Sequence, residues 1–238
     1  MSHHSVIALY TDLANHPDKE FGWEKGLQNA LNHGYKEEWV ELIPQQIWKY
    51  CAAVGNPFKA GKFNKGDSIL DIGCGAGVDL CVASLLVGEQ GNVFGVDITP
   101  AMVEKAKVNA ALAGLSNVTV YQASIDKLPV ADGLMDTVIS NGAINLSTCK
   151  ESVFLEINRV LKKGGHLYFC DMIKDEHNLE ESCCETESWA DCVAGTLTSG
   201  ELIQIMEQAG FVDVKFLSTN HYKTSPATVG ATYCATKV

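Results

Sequence analysis

Short apolar runs alternate with amphipathic stretches along most of the chain. SILDI (68–72), NVFGV (92–96), VTVYQ (118–122), MDTVIS (135–140) and HLYFC (166–170) have strand length and β-rich composition. Between them, apolar residues recur every three or four positions over about 78–86, 100–113 and 150–161, and again over 199–209, which predicts helices. Thr99 is read as an N-cap with Pro100 in the first helical position. Ser199 is read as the cap of the last helix, and Gly210 as its stop. Ser124–Lys127 reads as a short helix or turn, and Lys163-Gly164-Gly165 as a tight turn into strand 5. FVDVKFLST (211–219) and TVGATYCATKV (228–238) alternate and predict a final hairpin. The expected fold class is α/β: a Rossmann-like, doubly wound sheet of seven strands, mostly parallel, with an antiparallel closing strand.

Residues 1–65 carry a different pattern. They are helical and aromatic-rich, with Trp23, Tyr35, Trp39, Trp48 and Tyr50. The helix pattern of 37–54 is expected to break near Pro44, and GNPF at 55–58 to turn. This divides the chain into an N-terminal helical cap, 1–65, and a main domain, 66–238, with an acidic, cysteine-rich insertion at about 172–198.

Charge and composition narrow the partners. The formal net charge is −11 and Arg159 is the only arginine, so no surface suited to nucleic-acid phosphates or an anionic membrane is expected. No apolar run approaches the length of a membrane span. The first twenty residues lack the pattern of a signal peptide, so the expected location is the cytoplasm. Nine cysteines, an odd number without a leader, read as thiols rather than a disulfide scaffold. Cys183, Cys184 and Cys192 stand in a polar stretch where packing does not call for them.

The candidate chemistry lies in SILDIGCGAGVD. A strand runs into Asp71, glycines follow at 73, 75 and 77, and the next strand ends at Asp97. Glycines allow a tight turn and close backbone approach to a ligand, and an acid at Asp97 can accept hydrogen bonds from a ribose diol. Dinucleotide enzymes share this loop, so an adenosine-containing cofactor is indicated but not yet which one. Three features favour S-adenosylmethionine. Asp71 precedes the glycines, where it can orient the loop or meet an ammonium through water. Ser124-Ile125-Asp126 follows strand 3, where an adenine edge could be read. The architecture ends in a hairpin rather than a second βαβ half. A non-catalytic cofactor-binding protein is the second reading, and a nicotinamide-dependent dehydrogenase is the third and weakest.

GDSILDIGCGAGVDLCVASLLVG, GNVFGVDITPAMVEKAKVNA, NVTVYQASIDKLPV, DTVISNGAINLS, FLEINRVLKKGGHLYFCDMI and DCVAGTLTSGELIQIMEQAGFVDV together resemble the class I S-adenosylmethionine-dependent methyltransferases, closest to the arsenite methyltransferase family and its bacterial relatives. The resemblance covers about residues 50–216. It implies a donor site in which Asp71, Gly73, Gly75 and Gly77 line the methionine and ribose side, and Asp97 binds the ribose hydroxyls. It places Ile98, Thr99 and Met102 by the adenine and ribose, Ser124 and Ile125 on the adenine edge, Asn141 near the methionine moiety, and Tyr10 over the cofactor. The product would be S-adenosylhomocysteine.

For the acceptor, the family holds trivalent arsenic on cysteine thiolates, with glutathione or another thiol as reductant; no resident metal is implied. One family ligand lies in SNCxxNL. Here the stretch reads Ser140-Asn141-Gly142-Ala143-Ile144-Asn145-Leu146, so glycine replaces that cysteine. Cys192 matches a second ligand. Cys184, Cys51, Cys183 and Cys149 are candidates for the missing thiol, and the expected catalytic set is Cys192, Cys184 and Cys51. In the competing account, Gly142 opens space for an organic small-molecule acceptor. Asp171, Asp175 and His177, at the carboxyl end of strand 5, are then the candidate bases, with His33 and His221 further away. No Asn/Asp-Pro-Pro-Tyr/Phe tetrad follows strand 4, which disfavours DNA-base amines.

Overall fold

The computed structural model describes residues 4–175 and 195–238. Five strands meet in parallel: β1 (Ser68–Ile72), β2 (Asn92–Asp97), β3 (Val118–Gln122), β4 (Met135–Asn141) and β5 (Leu161–Lys174). β6 (Phe211–Thr219) and β7 (Thr228–Lys237) form the expected antiparallel pair, and β7 inserts between β5 and β6. The sheet order is β3-β2-β1-β4-β5-β7-β6. The chain therefore reverses its winding between β1 and β4. In such sheets, ligands bind outside the carboxyl ends of the strands at that point.

Side chains alternate across β1, so its two faces join different cores. Leu70 and Ile72 face α7 (Lys150–Val160) and α8 (Ser199–Gln208), packing with Phe154, Ile157, Leu202, Met206 and Tyr233. Ile69 faces α5 (Val78–Val87), α6 (Pro100–Leu112) and the cap. The cap comprises α1 (His4–Asn15), α2 (Gly26–Asn32), α3 (Glu37–Leu42), α4 (Gln45–Trp48) and a 3₁₀ turn at Pro57–Lys59. Pro44 separates α3 from α4, as its missing N–H requires. Tyr35 packs edge-on against Trp39, Trp48 and Phe58, and these rings share one core with Ile69, Leu80, Ile139 and Tyr168. No helix among the described residues is long and apolar enough to cross a membrane.

Three local expectations are corrected. Thr99 occupies the N-cap position of α6, but its side chain makes no cap; its N–H instead donates to Asp97 Oδ1 at 2.8 Å. α8 is capped by Thr198, in a capping box with Glu201, while Ser199 Oγ accepts from the Tyr233 hydroxyl at 2.9 Å. Lys163-Gly164-Gly165 is not a turn before the strand. Leu161 already pairs with Met135 and His166 pairs with Thr137, so the extra residues bulge out of one long β5. The expected insertion at 172–198 begins within β5, and residues 176–194 lie outside the described residues.

Candidate functional site

One deep cleft opens at the carboxyl ends of β1, β2 and β4, under the cap. Its floor is the loop from β1 to α5. Gly75 has φ +51° and nothing within 4 Å of where a Cβ would stand, so its backbone is bare toward a ligand. At Gly73 a Cβ would collide with Ala143. Gly77 is a correction: it is absent from the lining. With φ +86° it starts α5, and a Cβ there would press on Ala106 at 3.2 Å, so it serves the packing of α5 on α6.

Three carboxylates line this cleft: Asp71, Asp79 and Asp97. Asp97 fixes the loop, accepting from Gly75 N at 2.9 Å and from Thr99 N at 2.8 Å. Burial raises its pKa, and those two backbone donors oppose the rise. Asp71 is 2 % exposed, and its Oδ2 has no hydrogen-bond partner among the described residues. Burial, then the charges of Asp79 and Asp97, push its carboxyl well above the ordinary range. Asp79 accepts from the Tyr35 hydroxyl at 2.6 Å and from Asn141 Nδ2 at 3.1 Å; burial raises its pKa against both bonds. A buried carboxyl oxygen without a protein partner among the described residues leaves hydrogen-bonding capacity that a donor in the cleft could meet.

The remaining expected donor residues also line the cleft: Tyr10 from α1, Ile98, Thr99 and Met102 beside β2, Ser124 and Ile125 after β3, and Asn141. Asn141 is the most committed of these. Its Oδ1 accepts from Val54 N (2.9 Å) and Gly55 N (3.2 Å), and its Nδ2 also reaches the Tyr35 hydroxyl (3.0 Å) and Gly55 O (3.1 Å). It ties the cap to the end of β4.

The thiols separate clearly. Cys51 lines the cleft, 3 % exposed, with its Sγ donating to Asn29 Oδ1 at 3.5 Å. Asn29 also clamps Ala53 through both its N–H and its carbonyl, which fixes the segment bearing Cys51. Burial pushes the Cys51 thiol up strongly, with Asp79 adding to the shift. Cys74 lines the cleft too, and its thiol is raised by burial. Cys149 is exposed at the start of α7, bonded to Ser152 and Glu151, and is not part of the cleft. Cys183, Cys184 and Cys192 lie outside the described residues.

Gly142 lines the cleft, yet the expectation that it opens space is corrected. Its φ is +78°, and a Cβ there would stand 2.9 Å from Val54 Cγ2. Val54 fills the volume a larger residue would claim. Asp171 is also reassigned. It is 1 % exposed and accepts from Asn145 N (3.0 Å) and Met172 N (2.8 Å), so it braces the loop after β4 rather than facing the cleft. Burial raises it to about 6 against those bonds and the nearby Lys150 charge. Asp175 pairs with Lys223 at 2.9 Å. His166 stacks on Tyr168 away from the cleft, His33 packs against Tyr222 behind it, and His221 is exposed. His177 lies outside the described residues.

Tyr35, Asp79, Val54, Met172 and Tyr222 are cleft residues that the sequence reading missed. Asp79 alone left a local signal, an acid in the first turn of the helix that follows the glycines. Among the described residues, no group of three His, Cys, Asp or Glu side chains could hold a metal ion.

Comparison with known proteins gives this geometry a context. A family model described as a methyltransferase domain matches residues 63–210. An arsenite methyltransferase from Halobacterium salinarum is 37 % identical over 161 residues, covering 68 % of this chain and 41 % of the relative. The Homo sapiens arsenite methyltransferase is 38 % identical over 161 residues, covering 64 % and 43 %. This chain thus spans about half the length of the curated relatives it matches, or less. Among solved structures, an arsenic(III) S-adenosylmethionine methyltransferase from Chlamydomonas reinhardtii superposes with a TM-score of 0.74 at 32 % identity, covering 85 % of this chain and 73 % of that one.

Proposed function

The chain belongs to the class I S-adenosylmethionine-dependent methyltransferases related to the arsenite methyltransferases, and on that premise we propose that it methylates trivalent arsenic held on cysteine sulfur. The single observation that carries the arsenic reading is a buried thiol, Cys51, in the wall of the cleft that contains the acidic loop. Cys192, on the sequence match, and Cys184, as a candidate replacement for the missing loop thiol, would supply the further thiols. Arsenic(III) is a soft acceptor that favours sulfur ligands. A neutral thiol suffices to bind it. Condensation of Cys51 Sγ–H with an As–OH group forms the As–S bond and releases water, so the high thiol pKa is no obstacle.

The methyl donor supplies, when bound, an electrophilic methyl group on a sulfonium and leaves as S-adenosylhomocysteine. Asp71, with its free Oδ2, suits the donor's ammonium; Asp97 suits the ribose diol; Gly75 offers bare backbone beside them. Tyr10, Trp23 and Tyr50 would cover the donor and keep water out. The chain's share in the transfer is therefore alignment and exclusion of water, and the arsenic lone pair needs no base. Glutathione or another small thiol would act as reductant, in the cytoplasm, with no nucleic-acid partner.

The glycine at 142, where the family has its loop thiol, favours a second reading, an organic small-molecule acceptor, although Val54 leaves no added space there. The two readings separate by S-adenosylhomocysteine release from fully reduced protein, with arsenite and glutathione or with glutathione alone. The arsenic reading predicts release that depends on arsenite and falls at least about tenfold in Cys51→Ser. Arsenite-independent release would support the organic acceptor, and arsenite-dependent release undiminished in Cys51→Ser would overturn Cys51 as an arsenic ligand.

A further inference from the structure

Next to the cleft wall formed by Val54 and Tyr222, the β6–β7 hairpin and the cap form a small crevice lined by His33, Asn56, Lys59, Ser218, Asn220 and Thr232, with Ala60 and Leu217. No carboxylate among the described residues lines it. His33 is 9 % exposed, and its Nε2 is buried with no hydrogen-bond partner among the described residues. Lys59 makes no ion pair among the described residues, and its ammonium rests on Gly34, where any Cβ would collide with it. The crevice walls are fixed: Asn56 Nδ2 donates to Gly34 O at 3.0 Å, and Asn220 Nδ2 to Val54 O at 2.7 Å. A lysine and a histidine whose buried Nε2 has no partner among the described residues line one recess in a chain of net charge −11.

We infer that this crevice binds a small tetrahedral oxyanion between the Lys59 ammonium and His33 Nε2–H. The groups acting on His33 define how it would work. The Ala53 carbonyl favours a proton on the ring, Glu24 favours the charged form, and Lys59 and burial oppose it; Tyr222 covers the ring at 5.3 Å between centroids. Without an anion, burial is the largest influence on the imidazole and lowers its pKa. An oxyanion beside it offsets the Lys59 charge and accepts from Nε2–H, so binding takes up one proton from solvent. The crevice adjoins the cleft. Asn220 holds Val54, which packs against Gly142, and Tyr222 lines the cleft while covering His33. An occupied crevice would stiffen the wall at the acceptor end.

Sulfate is the probe, because its own charge stays constant across the pH range of interest. Calorimetric titration of the whole protein at fixed ionic strength is expected to give saturable one-site binding. Affinity should rise about fivefold or more from pH 8 to pH 6, with proton uptake seen in buffers of different ionisation enthalpy. Lys59→Met should weaken binding about tenfold and His33→Gln should flatten the pH dependence. Lys59 is exposed, so its variant remains informative if His33→Gln fails to fold. Phosphate should bind in competition with sulfate. A response no larger than that to chloride, or an unchanged affinity in Lys59→Met, would overturn the site. S-adenosylmethionine titrated into the same samples reports separately on the cleft, so loss of one binding event is not mistaken for loss of the other.

Discussion

At Gly142 the backbone and one neighbour decide what side chain the loop after β4 can hold. The position has φ +78°, and Val54 stands where a side chain would go. Restoring a thiol by Gly142→Cys should therefore destabilise the protein, by about 1–2 kcal/mol for the left-handed backbone with more for the collision. Val54→Ala should relieve the second part, so urea denaturation of the double variant should show favourable coupling above about 0.5 kcal/mol. An undiminished stability in Gly142→Cys alone would refute this picture of the loop. Asp171 gives a second prediction. Its folded pKa of about 6 lies above the unfolded carboxylate value, so its contribution to stability is fully present below about pH 4 and is lost as pH rises through 6. Asp71, Asp79 and Asp97 shift in the same direction, while Glu156, held low by Arg159, works the other way. Asp171→Asn should thus reduce, without abolishing, the fall in stability between pH 4 and pH 7; an unchanged slope would contradict the assignment. Asp71 and Asp97 were legible in the sequence because strand ends and glycine spacing fix them locally. Val54 was not, since its meaning comes from a contact with a residue far along the chain.

Among the elements, the parallel strands and their helices followed from periodicity, because strands buried on both faces read as continuous apolar runs. Errors arose where one residue of a polar pair had to be chosen. Thr198 and Ser199 are both good caps by type, and only the partner Glu201, three residues after Thr198, distinguishes them. Thr198→Ala should cost about 1 kcal/mol, measured as a shift in the denaturation midpoint; no shift would mean that the box contributes nothing. Thr99 stands at the N-cap position of α6 without a side-chain cap, and its own N–H donates to Asp97. The Gly164-Gly165 pair looked like a turn, yet pairing of Leu161 with Met135 starts the strand before the glycines.

Across the whole molecule, the cap and the sheet are joined by shared packing rather than by a linker. Tyr35, Trp39 and Trp48 bury themselves with Ile69, Leu80 and Ile139, and Tyr35 and Asn141 hydrogen-bond where cap, α5 and β4 meet. The aromatic richness of the first 65 residues was visible in sequence, but its target was not, because the partners are scattered over three later elements. That arrangement gives the cleft its roof and puts Cys51 in its wall beside the acidic loop. The central claim is that this loop is the methyl-donor site. Calorimetric titration of the protein with S-adenosylmethionine tests it most directly. One saturable site is predicted, weakened about a hundredfold or more in Asp97→Ala, since that change removes the acceptor for Gly75 N and Thr99 N together with the ribose contact. No saturable binding by the folded wild-type protein, or equal affinity in Asp97→Ala, would contradict it.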